Sequence, residues 1–306
     1  AARARDGRGH RAVVALKLVI LRALGLGDLL TAVPALRALA RAYPGHERIL
    51  LAPAGLQPIV DLLRGAVHTL ADTTGLRRPP ATLPAIARAP DVAVNLHGRG
   101  PQSTALLRET RPGRLIAFGV QAQWCEDEHE VDRWCRLLGA AGIPADPDEL
   151  DLAAPGPAPH PGATVIHPGA SAPARRWPGE RWAIVARAAP PPVVITAGPG
   201  ERALATAVAE RSGAVVFEGD LRRLAALIAG AARVLCADTG IAHLATALGT
   251  PSVVLFGPTS PKQWGPPASR PQHRALWAGG EGDPNAVEPD PALLALQPRD
   301  VLEAMS

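Results

Sequence analysis

The chain has 306 residues, of which 47% are hydrophobic and only 3% are aromatic. This length leaves room for two domains, whose cores must be built from Ala, Val, Leu and Ile. The formal net charge is only +4, with arginines and acids interspersed along the chain. That balance favours anionic small ligands or anionic surfaces and argues against a dedicated nucleic-acid groove.

Signals for targeting and for metal or disulfide sites are weak. Cys125, Cys135 and Cys236 have no metal-ligand spacing and form no even disulfide set, which predicts a reducing interior. The richest early apolar run is interrupted by Lys17 and Asp28, so no transmembrane helix is predicted, and the Arg-rich start resembles no complete signal peptide. We expect a monomeric cytoplasmic protein, with peripheral contact to the inner membrane face left open.

The first half opens with an apolar strand predicted over residues 13–21, followed by a glycine turn and a helix that ends near residues 43–44. Gly25 and Gly27 let the backbone turn sharply and approach a ligand closely. A third glycine is missing, which argues against a dinucleotide fingerprint. Asp28 stands at the helix start, where it is either a functional carboxylate or a capping one.

Further elements of the first half follow the same alternation. His97 and Arg99 lie in a glycine-rich turn after a strand, either as cleft residues or as part of a solvated loop. Asp146 and Asp148 match a sugar-transferase metal motif in letters only, and we interpret them as part of a linker. The predicted strands are residues 49–52, 91–96 and 115–118, and the helices are residues 57–63, 102–108 and 130–141.

A proline- and glycine-rich run at residues 155–162 marks the clearest boundary in the chain. After it, strands and helices alternate afresh, which means parallel strands with right-handed crossovers. The sequence therefore predicts an α/β protein with two doubly wound domains facing a central cleft. The predicted strands of this half are residues 163–167, 193–197, 214–217, 234–236 and 251–256, and the helices are residues 181–188, 201–212, 221–230 and 298–305. The last helix is expected to pack back across the cleft.

The stretch from residue 234 to 249 carries the strongest chemical signal. A buried strand ends at Asp238, and a helix pattern begins at once, with Thr239 able to cap it and Gly240 leaving its first turn open. The free amides and positive end of such a helix favour a diphosphate, and His243 lies one turn in. An ordinary capped helix with a surface histidine is the alternative.

The loop after the first strand of the second half offers a hydroxyl and two guanidinium groups. These belong to Ser171, Arg175 and Arg176, and arginine pairs bidentately with phosphate oxygens. Glu201 ends the turn after the next strand, where it could accept ribose hydroxyls or cap its helix. The sequence leaves open which arginine holds a diphosphate.

Taken together, these segments resemble the heptosyltransferase family, family nine of the glycosyltransferases. The matching segments are LRALGLGD at residues 21–28, PALRAL at 34–39, HPGA at 167–170, RRWP at 175–178, DTGIAH at 238–243 and FGPT at 256–259. The resemblance implies a GT-B fold and an inverting transfer of heptose from ADP-heptose that needs no bound metal or other cofactor. It further implies an acceptor-binding domain at residues 1–154, a linker at 155–162 and a nucleotide-sugar domain at 163–306.

The family also implies roles for single residues. Asp28 would be the general base, Arg175 would replace a phosphate-binding lysine, and Ser171 and Glu201 would contact the nucleotide. The sugar diphosphate would be bound by the residues of the second glycine turn: Asp238, Thr239, Gly240 and His243. On the acceptor side the candidates are Gly25, Gly27, His97 and Arg99.

Two other classes of protein stay open. A nucleotide-sugar epimerase shares the architecture, although it gives Asp28 no obvious task, and a non-catalytic nucleotide-sugar-binding protein would keep the second glycine turn without needing Asp28. The missing third glycine disfavours a nicotinamide dehydrogenase. The acceptor hydroxyl is expected on a glycan, a lipid-linked core or a small metabolite.

Overall fold

The computed structural model describes residues 15–75 and 79–305. The first half contains one sheet of five parallel strands in the order β3-β2-β1-β4-β5. Its strands are β1 (Lys17–Leu21), β2 (Glu47–Ala52), β3 (Thr69–Asp72), β4 (Val92–Asn95) and β5 (Arg114–Ile116). The start of the predicted first strand, residues 13–14, lies outside the described residues. In the central strand β1, Leu18 to Leu21 are all inaccessible to solvent, as expected where helices cover both faces of a sheet.

Within residues 15–75 and 79–154, the helices of this half are α1 (Leu26–Thr31), α2 (Val33–Ala42), α3 (Gln57–Val60), α4 (Gln102–Glu109) and α5 (Glu130–Ala140). The sequence predicted one helix where α1 and α2 are found. The chain breaks at Ala32 because Pro34 has no amide hydrogen to donate to the Leu30 carbonyl, which a continuous helix would require. The break leaves α1 as a short element whose position depends on its neighbours.

The second half contains six parallel strands in the order β11-β10-β9-β6-β7-β8. They are β6 (Thr164–His167), β7 (Val193–Ile195), β8 (Val215–Val216), β9 (Arg233–Ala237), β10 (Ser252–Phe256) and β11 (His273–Trp277). The predictions missed β3 and β11. Both are edge strands, and because only part of each is buried, neither has the continuous apolar run by which a central strand is found.

Seven helices surround this sheet: α6 (Gly179–Ala188), α7 (Arg202–Ser212), α8 (Leu221–Ala229), α9 (Gly240–Ala247), α10 (Pro261–Trp264), α11 (Pro291–Ala295) and α12 (Pro298–Ala304). The final helix does not pack across the cleft as expected. It packs against α6 and β11, because Val301 is fully buried in an apolar cluster that also contains Trp177 and Trp182. Among the described residues, no helix has the length and apolar character needed to cross a membrane.

The two parallel sheets confirm the predicted α/β fold class. In each sheet the strand order reverses next to the first strand of that half, between β1 and β4 and between β6 and β9. Ligands of doubly wound proteins bind where the order reverses, outside the carboxyl ends of the strands. The loops that leave these four strands carry most of the predicted site residues.

Candidate active site

Asp28 lies at the third position of α1 and is held by the turn that precedes the helix. Its Oδ2 accepts a hydrogen bond from the Gly25 amide at 3.1 Å, so the carboxylate does cap this turn. Its Oδ1 lies 3.8 Å from Nη2 of Arg22, and its side chain is 30% exposed to solvent. One carboxylate oxygen is therefore used for capping, while the other makes only a long ionic contact.

The pKa of Asp28 is not determined by the helix start alone. A helix N-terminus alone would lower the pKa of a carboxylate. Instead, burial raises the pKa of Asp28 above its usual value, the Glu130 carboxylate raises it further, and the Arg22 guanidinium and the Gly25 amide only partly offset the rise. A carboxylate with a raised pKa is a stronger base, so this difference favours proton abstraction.

The first turns of α1 and α9 meet face to face across the cleft. A Cβ atom built at Gly27 would lie 2.9 Å from Cδ2 of His243, and one built at Gly240 would lie 2.9 Å from Cβ of Leu26. The sequence assigned these two glycines to close contact with a ligand. In the structure they let the two halves approach each other, which brings Asp28 and Asp238 into the same cleft.

Asp238, at the end of β9, is buried. Burial raises its pKa to about 6, the Asp28 carboxylate raises it as well, and the Arg175 guanidinium opposes both. Thr239 was expected to cap α9, but its side chain makes no capping hydrogen bond, and its Oγ1 is buried without a partner in the described part of the chain. The first amides of α9 are thus not used by a side-chain cap, and a buried hydroxyl lies beside them.

His243 is half-buried on α9, with its ring 5.9 Å from the ring of Trp264, so it is not a solvated surface histidine. Burial lowers its pKa to about 4, with smaller contributions from His129 and Arg175. It is therefore neutral at pH 7. His129 of the first half donates from Nε2 to the Gly265 carbonyl of the second half at 3.0 Å, a contact between the halves that the sequence did not suggest.

Arg175 reaches from the loop after β6 to the end of β9. It donates from Nη1 to the Asp238 carbonyl at 3.3 Å and from Nη2 to Oγ of Ser171 at 2.8 Å, while its Nε is buried without a partner among the described residues. The preceding residue, Ala174, donates its amide to the Ala286 carbonyl and accepts at its own carbonyl from the Asp290 amide. A distant segment thus fixes the loop that presents Arg175.

Arg176 has a different environment from its neighbour. It is half-buried, and its Nε donates to the Ala170 carbonyl at 2.8 Å. It braces its own loop and does not contact Asp238. The structure therefore places only Arg175 with the residues of the second glycine turn.

The carboxylate of Glu201 contacts two backbone turns of the second half. Its Oε2 accepts from the Gly198 amide at 2.7 Å and lies 3.5 Å from Nε2 of His167, and its side chain is 11% exposed. The carboxylate fills the space beside Gly169, where a Cβ atom would overlap with it. In this structure Glu201 braces two turns.

His97 and Arg99, the two candidates after β4, lie in different places. His97 lies near Arg22, and burial lowers its pKa to about 4, with a smaller contribution from that guanidinium. Arg99 is exposed and pairs with Glu126 at 2.8 Å. It lines a different cleft of about 370 Å³ together with Arg108, Phe118 and Trp124. Of the two, His97 is the one beside the Asp28 cluster.

The predictions missed two charged residues behind Asp28. Arg22, at the end of β1, and Glu130, at the start of α5, are both buried and lie 3.0 Å apart. An arginine next to a continuous apolar strand is a signal that a sequence can give. Its partner is 108 positions away, so the pair itself needed the structure.

Metal ligands do not cluster in the described residues. No group of three or more His, Cys, Asp or Glu side chains there could hold a metal ion. Asp148, from the Asp-Pro-Asp sequence, accepts a hydrogen bond from Oγ of Ser269 at 2.7 Å in a loop region, which agrees with a structural interpretation.

Solved structures show where this fold occurs. E. coli ADP-heptose LPS heptosyltransferase II is 18% identical with a TM-score of 0.74, over 95% of this chain and 97% of that one. A family 9 glycosyl transferase from Veillonella parvula is 17% identical with a TM-score of 0.74, over 95% and 96%. E. coli heptosyltransferase WaaC, solved with ADP, is 18% identical with a TM-score of 0.69, over 95% and 99%.

At this level of identity these similarities establish the fold. A sequence search against curated proteins found no significant match. The model of the family "Glycosyltransferase family 9 (heptosyltransferase)" matches residues 101–293, which is more than half of the chain. The chain therefore belongs to glycosyltransferase family 9, the heptosyltransferases.

Proposed function

We propose that the protein transfers heptose from ADP-heptose to a hydroxyl group, in one displacement that inverts the anomeric centre. Asp28 removes the proton from the incoming hydroxyl. The leaving diphosphate is stabilised by Arg175 and by the start of α9. A sugar transfer of this kind needs a base on one side and charge stabilisation on the other.

The observation that carries this proposal is the meeting of α1 and α9 at Gly27 and Gly240. Across this contact, a carboxylate of raised pKa lies on one wall of the cleft, and on the other lies a guanidinium whose Nε has no partner in the part of the chain that the structure describes. A non-catalytic binding protein would not need that juxtaposition, which is why we favour an enzyme that uses both walls.

On the donor side, we assign the diphosphate to Arg175. The residues around it are Ser171, Thr239, Gly240 and His243. The uncapped amides of α9 suit an anion. The buried hydroxyl of Thr239, which has no hydrogen-bond partner among the described residues, could donate to a phosphate oxygen. Positive charge from Arg175 and these amides is the reason why we expect no resident metal. Glu201 would act on the nucleotide through the turns that it braces.

On the acceptor side we assign the acceptor to the first half, residues 1–154, and the nucleotide sugar to residues 163–306. His97 lies at the cleft and is neutral at pH 7, so it could hydrogen-bond a sugar hydroxyl. Arg99, with Arg108 and the ring of Trp124, lines the open cleft of about 370 Å³ next to it. A glycan, a lipid-linked core or a small metabolite would reach Asp28 from this side, and a lipid-linked acceptor would require contact with a membrane surface.

The test is incubation of the chain with ADP-heptose and a panel of hydroxyl acceptors, with and without a chelator. We expect ADP release that depends on the acceptor, is unaffected by the chelator and gives a product of inverted anomeric configuration by NMR. An altered nucleotide sugar without acceptor would indicate an epimerase. Binding of ADP-heptose without turnover on any acceptor would indicate a non-catalytic protein.

A further inference from the structure

A buried guanidinium lies between Asp28 and a second carboxylate. Nη2 of Arg22 donates to Oε1 of Glu130 at 3.0 Å and lies 3.8 Å from Oδ1 of Asp28. The side chains of Arg22 and Glu130 are 1% and 6% exposed, so bulk water screens their pair little, whereas the side chain of Asp28 is 30% exposed. The guanidinium thus makes its hydrogen bond to Glu130 and only a longer ionic contact to Asp28.

Other groups fix Arg22 in this position. Its Nε donates to the Asp28 carbonyl at 2.9 Å, its Nη1 donates to the Leu96 carbonyl, and its Nη2 also donates to Oγ1 of Thr31 at 3.2 Å. The plane of the guanidinium lies over the ring of Trp134, with Cζ 4.6 Å from the ring centroid. Arginine presents its donors in a rigid fork, so with Nε and Nη1 fixed on carbonyl groups, Nη2 is the atom that faces both carboxylates.

Glu130 is fixed as well. Its Oε1 also accepts from Nε1 of Trp134 at 2.9 Å, and its Oε2 accepts from Nη1 of Arg133. Both carboxylate oxygens are therefore hydrogen-bonded, and the side chain is buried. The residue before it, His129, binds the Gly265 carbonyl of the second half, so this end of α5 also contacts the other wall of the cleft.

We propose that Glu130 is a positioning residue for sugar transfer, which keeps Arg22 on its own carboxylate so that Oδ1 of Asp28 stays free to accept the proton of the acceptor. This inference rests on the proposed function, in which Asp28 is the base. Without Glu130, the nearest anion for the buried guanidinium would be Asp28. A direct hydrogen bond from Arg22 would then occupy the oxygen that has to take the proton and would weaken it as a base.

The electrostatics around Asp28 give the sign of the effect. Arg22 on β1 lowers the pKa of Asp28, and Glu130 on α5 raises it. Asp238, at the end of β9, is a further carboxylate close enough for Asp28 to raise its pKa, and His243 on α9 is neutral above about pH 4. Removing the charge of Glu130 therefore removes a group that raises the pKa of Asp28. It also strengthens the contact with Arg22, which lowers that pKa. Both changes move the pKa of Asp28 downward.

The test is the pH dependence of kcat and kcat/KM in Glu130→Gln. We expect the acid limb, which reports ionisation of Asp28, to move to lower pH by about one unit, and the plateau of kcat to fall because the base is weaker. The matched control is Glu128→Gln, since Glu128 lies on the same stretch of chain but pairs with Arg136 at 2.6 Å. This control should keep the wild-type plateau and the wild-type limb.

The outcomes separate this inference from the proposed function. If Asp28→Asn is inactive while a folded Glu130→Gln protein keeps the wild-type limb, the role of Glu130 is overturned and the base assignment stands. If Asp28→Asn keeps full turnover, the base assignment itself is wrong. If Glu130→Gln does not fold, the same pH profile is measured on Glu130→Asp. Its side chain is one methylene shorter, so its carboxylate lies farther from Arg22. A smaller shift in the same direction is expected, and an unchanged limb overturns the inference.

Discussion

The starts of α1 and α9 are built from the same parts and differ in where the aspartate lies. In both, a buried parallel strand ends, a glycine follows, and a helix begins. Asp28 lies inside its helix and accepts from the Gly25 amide, so the side chain of α1 satisfies its own turn. Asp238 lies before its helix, contributes its backbone carbonyl to Arg175, and leaves α9 without a side-chain cap.

This difference teaches how one local design serves two tasks. A helix start occupied by its own carboxylate has less to offer an anion, but it holds that carboxylate in a fixed place, as a base requires. A helix start without a cap keeps its amides for a ligand. The two starts face each other at Gly27 and Gly240, so the two tasks are brought to one reaction centre.

The largest expected effect comes from removing the base. Asp28→Asn keeps the size of the side chain and an oxygen for the Gly25 amide, but it loses the basic oxygen. Loss of a general base costs about 10²–10⁴ in rate, so kcat should fall by that factor while the melting temperature stays near the wild-type value. Wild-type turnover in the variant would place the base elsewhere, and an unfolded variant would make Asp28 structural.

Substitutions on the α9 side of the cleft should change the affinity for ADP. Arg175→Ala should weaken ADP binding by about 1.5–3 kcal/mol, as expected for a hydrogen bond to a charged group. Arg176→Ala is the matched control, because Arg176 carries the same charge on the same loop but binds the Ala170 carbonyl. Isothermal titration of both variants with ADP decides the matter. Equal losses would mean that loop charge, and not the contact made by Arg175, holds the diphosphate.

The contact between the first turns of α1 and α9 can be tested by adding one methyl group at Gly27. Gly27→Ala places a Cβ 2.9 Å from the ring of His243, and overpacking costs about 1–3 kcal/mol. Helix propensity alone would instead stabilise the variant by about 1 kcal/mol. Gly55→Ala is the control, because its Cβ would have open space. Urea unfolding should show a loss of stability for Gly27→Ala only, and a gain there would argue against the close approach.

An effect that appears only at neutral and higher pH should come from the buried charge of Asp238. Its folded-state pKa of about 6 is raised, so the folded state holds its proton more tightly than the unfolded chain does. Stability from this group is therefore present below pH 4 and is lost as the pH rises through 6. Asp238→Asn should be more stable than the wild type by up to about 3 kcal/mol at pH 7.5 and no more stable at pH 4. Thermal melts at the two pH values would measure this, and a pH-independent difference would contradict it.

The sequence predicts the central strands and the placement of site residues at their carboxyl ends, because buried parallel strands have continuous apolar runs and glycine turns follow them. It does not predict β3 and β11, whose residues are only partly buried. Nor does it predict contacts that depend on how the halves meet, such as Gly27 with His243. The acidity of Asp28 belongs to the same group, since a helix start alone lowers the pKa, whereas burial in the cleft raises it.

The most direct test of the account is calorimetric titration of ADP into Asp28→Asn and Arg175→Ala side by side, with kcat measured on the same samples. If the base lies on one wall and the diphosphate site on the other, Asp28→Asn should bind ADP like the wild type but turn over slowly. Arg175→Ala should bind ADP weakly. Loss of ADP affinity in Asp28→Asn, or wild-type affinity in Arg175→Ala, would contradict this division of the site between the two halves.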